Sequence, residues 1–382
     1  MKSANPTPLA DTTGEIVSVP RTESYLPVSP CPTVFMGVSK KDASGNKLAK
    51  NPEILSVRHE TTIARAAGRG GQDRSLFYHL YTIWLFTRND LKTVVFPQIA
   101  FALFNNFSGR VLSTSTTSNI SDISSRVMWA IVWIWINLLF KDIANQRLSD
   151  SISEDAINKP WRPIPSRRLD SDEARRLLIA VVTCAFLISW LLDVTTPSIG
   201  LMALTWLYDD LGGSGDHYLL RHLLTAFGLL CFGAGATFII GGQANDHLTH
   251  PGRQWFFIIG AVITTTVHVQ DLEDMDGDVA RDRKTIPIVW GERAARYSAA
   301  GMIFVWSLLC PIYWNLRLSI CCLPGLFGLG LAIMIVRHNS VAAYKLAWKL
   351  WCLWIVALFA LPLCADSPHP HFPMPAKYPS HV

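Results

Sequence analysis

Charge is scarce in this chain. Asp, Glu, Lys and Arg make up only 16% of its 382 residues, while 50% are hydrophobic. An ordinary water-soluble domain carries about 25% charged residues, so that class is excluded. The apolar residues come in long blocks rather than at amphipathic spacing, which marks a polytopic membrane protein. The eight cysteines are scattered and show no metal-ligand spacing. Even the vicinal pair Cys321-Cys322 sits in an apolar run, so the cysteines read as small packing residues rather than a zinc site or a disulfide framework. A Walker-type phosphate loop is missing, as is any internal repeat. No apolar run follows Met1-Lys2, so the first spanning helix is expected to serve as the insertion signal.

What is present divides into three parts. Residues 1–75 hold Pro, Ser, Thr and charges without periodic apolar positions and are expected to form a loosely ordered cytosolic tail. Residues 76–365 hold the apolar blocks, and 366–382 form a second short tail rich in Pro and His. About nine spanning helices are expected, each able to cross a hydrocarbon core about 30 Å thick. They fall near 92–108, 126–144, 176–192, 196–211, 221–242, 254–270, 296–314, 317–336 and 346–365. Lys and Arg concentrate in the loops after the second, sixth and eighth of these. With an odd number of spans and a cytosolic tail, every basic loop is then cytosolic. Asn119-Ile-Ser121 is a sequon that this topology puts in the lumen. The endoplasmic reticulum is the default address of such a multispan chain.

Two polar stretches interrupt this apolar pattern. One is Asp271-Leu-Glu-Asp274-Met-Asp-Gly-Asp278, followed by Arg283-Lys284-Thr285-Ile-Pro287. Asp271, Asp274 and Asp278 are spaced to stack on one helix face. Such a stack repels itself unless a cation sits in it, and hard oxygen donors call for Mg²⁺ first. The other runs from Asp142 through Asn145-Gln146-Arg147, Asp150 and Glu154-Asp155 to Lys159-Pro160-Trp161-Arg162-Pro163. Its prolines stop the helix and hold Lys159 and Arg162 at a set distance from the acids. Oxygen ligands beside fixed cations outline a diphosphate clamp. A single acid near a helix end is usually a cap or a solvated interface residue. The cluster is different, because each acid facing lipid at the bilayer centre costs about 2.5–3.5 kcal/mol. The acids therefore line a polar cavity or lie at the interface. Candidate metal ligands are Asn145, Asp150, Glu154, Asp155, Asp271, Asp274 and Asp278. Candidate phosphate-binding cations are Lys159, Arg162, Arg283 and Lys284. Asp209-Asp210 reads equally well as part of this site or as a helix-end pair in water. His268, one turn before Asp271, reads first as structural.

These motifs resemble the UbiA superfamily of intramembrane prenyltransferases. Asp271, Asp274, Gly277, Asp278, Arg283, Thr285 and Pro287 fall in the order of its second motif. Asn158-Lys159-Pro160-x-Arg162-Pro163-Ile-Pro165-Ser166 is as close to the end of its first. The front of the first motif departs from the family pattern: with about two inserted residues, Asn145-Gln146 stands for Asn-Asp, and Ser149 or Asp150 for the middle Asp. The half-site then offers more amides and fewer carboxylates. The resemblance implies an all-α helical bundle around a central cavity, capped by cytosolic loops. It implies Asp155, Asp271, Asp274 and Asp278 as the catalytic, metal-binding acids, with Arg221 as a further diphosphate contact. The Asn145-Gln146 variant, Trp161 and the approach Tyr78 to Lys92 look like a fungal branch that includes membrane-bound terpene cyclases. That branch implies Mg²⁺-dependent cyclisation of farnesyl diphosphate to a sesquiterpene hydrocarbon. The partners implied are this diphosphate and membrane lipid, with no nucleic acid and no obligate protein partner. Trp129, Trp133, Trp135, Trp206 and Tyr208 are candidates for stabilising passing positive charge, and each also fits packing or interface anchoring.

Two alternatives stay open on residues alone. A prenyltransferase needs the same ionising clamp and adds only an acceptor pocket, which has no short signature. A transporter also buries charge. Against it, the acids cluster at one face beside phosphate-type cations, and no repeat symmetry is visible.

Overall fold

The computed structural model describes residues 74–112, 119–242 and 248–365. The expected tails fall outside these, apart from residues 74 and 75. The described residues are all-α, with no strand among them. The fold is a membrane helical bundle.

Five helices are long and apolar enough to cross a membrane: Ile120–Gln146, Ser171–Leu191, Tyr218–Gly241, Glu292–Tyr313 and Val341–Cys364. The other expected spans are helical but shorter or less uniform. Leu91–Val95 is a π-helical turn that leads into Phe96–Phe107. Thr195–Tyr208 has 14 residues and His250–Thr266 has 17. Leu318–Arg337 carries Pro324 inside it. A helix of 14 residues rises about 21 Å, less than the hydrocarbon thickness of about 30 Å.

The helices pack as two apolar clusters. One holds Trp133, Ile134, Leu138, Ile143, Phe232 and Ile240; the other holds Trp255, Ile263, Ile303, Trp351, Trp354 and Phe359. The Tyr218–Gly241 helix supplies residues to both, with Leu229 against each. Glycine makes that close packing possible. A Cβ on Gly235 would strike the Trp133 ring, and one on Gly233 would strike Gln98 and Phe101. Hydrogen bonds between helices replace the hydrophobic drive that lipid lacks, at roughly 0.6 kcal/mol each. Trp133 Nε1 donates to Ser189 Oγ at 2.9 Å, Trp354 Nε1 to Ser307 Oγ at 2.9 Å and Trp351 Nε1 to Thr266 Oγ1 at 3.0 Å. Outward faces keep large apolar side chains exposed, among them Trp190, Phe257, Ile312 and Leu326. So wide an exposed apolar surface suits contact with lipid.

Asn119 of the sequon caps the Ile120–Gln146 helix, accepting from Ser121 N. Trp129 and Trp206 are exposed on outer faces, while Trp133 is fully buried in the core. Trp135 donates to Thr87 Oγ1 at 3.2 Å. None of these four lines the central cavity; of the aromatic candidates only Tyr208 does.

Candidate active site

The two polar stretches fold over one end of the bundle and meet there. The first leaves the Ile120–Gln146 helix, forms a short helix Ser149–Asn158 and stops at Pro160. The second departs from the expected geometry. The three aspartates do not share one helix, because the His250–Thr266 helix ends in a 3-10 turn at Val267–Val269. Asp271 lies in the turn that follows, Asp274 caps a new short helix, Met275–Ala280, and Asp278 lies within it. Three closely stacked carboxylates repel one another, and the broken path gives each a different cation.

The short helices dock through Gly277 and Asn158. Asn158 Nδ2 donates to the Asp274 carbonyl at 3.2 Å, and a Cβ on Gly277 would strike the Asn158 amide. Glycine is therefore required there for close approach. Charged pairs then lock the two loops together. Glu154 takes Arg281 Nη1 at 3.0 Å and Arg283 Nη1 at 2.9 Å. Lys159 Nζ lies 3.1 Å from Asp274 Oδ2. Within the loops, Arg162 Nη1 reaches both Asp155 oxygens, at 2.7 and 2.9 Å, and Arg283 Nη1 lies 3.2 Å from Asp278 Oδ1. Arg221, from the start of the Tyr218–Gly241 helix, donates to Asp271 Oδ1 at 2.9 Å and to the Tyr208 hydroxyl at 2.7 Å.

Below these pairs lies a cavity of about 170 Å³. Asn145, Glu154, Lys159 and Arg162 from the first stretch line it, with Asp271, Asp274 and Arg283 from the second and Arg221 between them. Its inner wall is apolar and includes Leu201, Leu204, Leu229, Phe232, Trp348 and Trp351. Trp348 and Trp351 stack with ring centres 4.8 Å apart. Asp155 and Asp278 are buried beside the cavity without lining it. Asp150 and Lys284 lie outside it, both exposed. Asp150 accepts only from Ser149 Oγ, at 3.1 Å. It stands on the first turn of the short helix, at the exposed end before the buried Ser151, Glu154 and Asp155.

Several cavity residues had no signal in the sequence. His222 lines it beside Arg221; its Nδ1 faces the Thr264 carbonyl at 3.1 Å and its Nε2 lies 3.5 Å from Asp271 Oδ2. Asp90, Lys141 and Gln270 line it as well, as does Asp142, with which the first polar stretch begins. Asp209 belongs to the site and Asp210 does not: Asn145 Nδ2 donates to Asp209 Oδ1 at 2.5 Å, whereas Asp210 pairs outward with Arg147. Gln146, which stands where the resemblance expects Asp, donates to the Phe86 carbonyl at 3.0 Å and is structural. His268 does not line the cavity; it stacks on His222 and lies 3.0 Å from Ser298 Oγ.

Burial sets the protonation of the loop acids against their partners. For Glu154 burial raises the carboxyl, but Arg283, Lys159 and Arg281 outweigh it and hold it below 4.5. Burial dominates at Asp278, with Asp271 adding repulsion, and lifts it to about 6 despite Arg221 and Arg283. Burial likewise lifts Asp155, opposed by Arg162.

The donor set fits a hard divalent cation. It consists of oxygens, and Asp271 Oδ2 and Asp278 Oδ2 are buried without a hydrogen bond. Among the described residues no three His, Cys, Asp or Glu side chains converge on one point. Mg²⁺ does not need such a cage, because it keeps water and phosphate ligands and takes one or two carboxylates.

Comparison with known proteins agrees with this construction. The model of the UbiA prenyltransferase family matches residues 150–356. The chain belongs to the UbiA prenyltransferase family. It is 30% identical to a somaliensene A/B synthase of Streptomyces somaliensis over 76% of this chain and 94% of that protein. It is 29% identical to the fumagillin β-trans-bergamotene synthase of Aspergillus fumigatus over 62% of this chain and 75% of that one. A solved UbiA homologue from Archaeoglobus fulgidus, bound to GPP and Mg²⁺, shares the fold with a TM-score of 0.51 and 10% identity, over 73% of this chain and 99% of that one.

Proposed function

We propose that this chain is a Mg²⁺-dependent membrane terpene cyclase that ionises farnesyl diphosphate and closes it to a bergamotene-type hydrocarbon. The observation that carries the reading is a single cavity with a charged end and an apolar end, the charged end built from both polar loops. A diphosphate suits the cations Lys159, Arg162, Arg221 and Arg283. Asp271, Asp274, Glu154 and the Asn145 amide oxygen are the cavity-lining groups that would hold Mg²⁺, with Asp155 and Asp278 behind them. When bound, the metal neutralises charge on the leaving diphosphate. The tethered cations do the same from fixed positions, which spares reorganisation as the C–O bond breaks. The prenyl chain lies along Leu201, Leu204, Leu229 and Phe232, an apolar lining that limits water at the allylic cation. Trp348, Trp351 and Phe232 offer ring faces worth roughly 0.5–2 kcal/mol each to a passing cation. The loops are taken as cytosolic, and the membrane as that of the endoplasmic reticulum.

Names of relatives support cyclisation in two cases, and a digeranylgeranylglyceryl phosphate synthase of Methanobrevibacter smithii, 30% identical over 54% of this chain, supports transfer to an acceptor instead. Membranes holding the protein, incubated with farnesyl diphosphate and Mg²⁺ but no acceptor, decide between them. A volatile hydrocarbon by gas chromatography is expected. Product formed only with an added phenol or glyceryl phosphate acceptor would replace the cyclase reading with a transferase.

A further inference from the structure

A third polar loop, Tyr208 to Asp216, is tied to both polar stretches. Arg147 Nη2 donates to Asp210 Oδ1 at 2.5 Å, which joins it to the first. The Lys284 N–H donates to the Gly215 carbonyl at 3.2 Å, which joins it to the second. Gly212, at φ 73°, turns the loop, and a Cβ on Gly213 would strike the Leu207 carbonyl. Asp209 stands at the head of this loop. It ends the Thr195–Tyr208 helix, with its N–H on the Thr205 carbonyl at 2.9 Å. It is 5% exposed and lines the cavity. Its side chain meets Asn145: Asn145 Nδ2 donates to Asp209 Oδ1 at 2.5 Å, and Asn145 Oδ1 accepts no hydrogen bond among the described residues.

A primary amide presents a donor on one side and an acceptor on the other, whereas a carboxylate only accepts. Asp209 therefore selects one of the two flips of the Asn145 side chain. The NH₂ group turns to the third loop, and the oxygen is left for the cavity that Asn145 lines. The opposite flip would set oxygen against oxygen at Asp209. It would also offer the cavity an NH₂ group, which is no ligand for a hard cation.

We propose that Asp209 is a positioning residue that orients the Asn145 amide so that its oxygen is available to Mg²⁺. This rests on reading the cavity as a prenyl diphosphate site with Asn145 among its metal donors. An amide ligand needs such a partner more than a carboxylate does. A carboxylate offers oxygen whichever way it turns, and an amide does so in one orientation of two. Here the orienting acid comes from 64 residues further along the chain, on a loop that holds no other part of the clamp's metal donors.

The test reads metal affinity without turnover. Full-length protein in detergent is titrated with Mn²⁺ in the presence of inorganic pyrophosphate, and bound Mn²⁺ is measured by electron paramagnetic resonance. Asp209→Ala is expected to weaken Mn²⁺ binding at least about tenfold, the scale of losing a group that orients a metal ligand. Asn145→Ala should weaken it by a similar factor. The two together should lose no more than either alone, because Asp209 acts through Asn145. The exchanged pair, Asn145→Asp with Asp209→Asn, keeps one N–H···O bond and leaves an oxygen for the cavity, and it should recover most of the affinity. An exchanged pair as weak as Asp209→Ala overturns the proposal, as does wild-type affinity in monodisperse Asp209→Ala. Losses that multiply in the double alanine variant also overturn it and make Asp209 a ligand in its own right. Should an alanine variant aggregate, leucine at the same position, which fills the space with no polar atom, decides in its place. Failure of the cavity reading looks different. Wild-type protein would then show no saturable Mn²⁺ binding with pyrophosphate and release no diphosphate from C10, C15 or C20 prenyl diphosphates, and the proposal would fall with it.

Discussion

Lys159 Nζ lies 3.1 Å from Asp274 Oδ2, joining a residue that follows one short helix to the residue that caps the other. The two positions are 115 residues apart in the chain. Both side chains are largely buried, so removing either leaves the other charge poorly compensated, at about 3–5 kcal/mol. Lys159→Ala should therefore loosen the cap, and the separate loss of a charged diphosphate contact should lower kcat/KM by about a hundredfold, each 1.4 kcal/mol being a factor of ten. Lys159→Arg should recover only part, because a planar fork replaces a point charge. Kinetics with farnesyl diphosphate and trypsin sensitivity of the loops check both effects.

Asp271→Ala removes the acid that Arg221 and His222 both face. Diphosphate release should drop by about two orders of magnitude or more if Asp271 holds the metal. Activity within about threefold of wild type would end that assignment.

Chelation should act in the same direction. Turnover in excess EDTA is expected to vanish and to return with added Mg²⁺, whereas Ca²⁺, larger and less demanding of octahedral geometry, should restore far less. Undiminished turnover in EDTA would remove the metal from the mechanism.

Gly228 lines the cavity, and a Cβ there meets nothing within 4 Å. It lies seven residues along the Tyr218–Gly241 helix from Arg221, about 10 Å deeper. Gly228→Leu should narrow the tail pocket and shift preference from farnesyl towards geranyl diphosphate, by about tenfold in the ratio of kcat/KM. Gly228→Ala should be tolerated and slightly stabilising, by about 0.5–1 kcal/mol. Competition between the two diphosphates measures the shift.

Glu154 sets the acid limit of the loop lock. Its folded value is held below the ordinary 4.5, so its contribution is complete above that value and is lost as pH falls through the folded one. Thermal unfolding in detergent should be flat in this contribution from pH 8 down to about 5 and should decline below that. Glu154→Gln should melt lower at neutral pH and lose part of the acid decline.

Much of the cavity's charged end was legible because its residues are polar where their surroundings are apolar. A Lys-Pro-x-Arg-Pro tail or an Asp-rich loop cannot face lipid, so both could be placed at a polar cavity before any fold was seen. Asp150 and Lys284 show the limit of that reasoning: composition finds a polar loop, but only the turn of the short helix says which of its side chains point inward. The three aspartates show a second limit, since i, i+3, i+7 spacing promised a single face and the chain broke its helix between them. Asp90 and His222 sit singly in apolar or mixed segments, where a lone polar residue is more often a satisfied structural group. Their neighbours across the cavity come from other helices.

The sequence alone determined the solvent the protein lives in and the chemical character of its reactive end, because hydropathy and charge are properties of local composition. Tertiary structure decided which acid meets which base and which aromatic rings line the cavity. Those are relations between segments far apart along the chain, and they exist only once the helices pack.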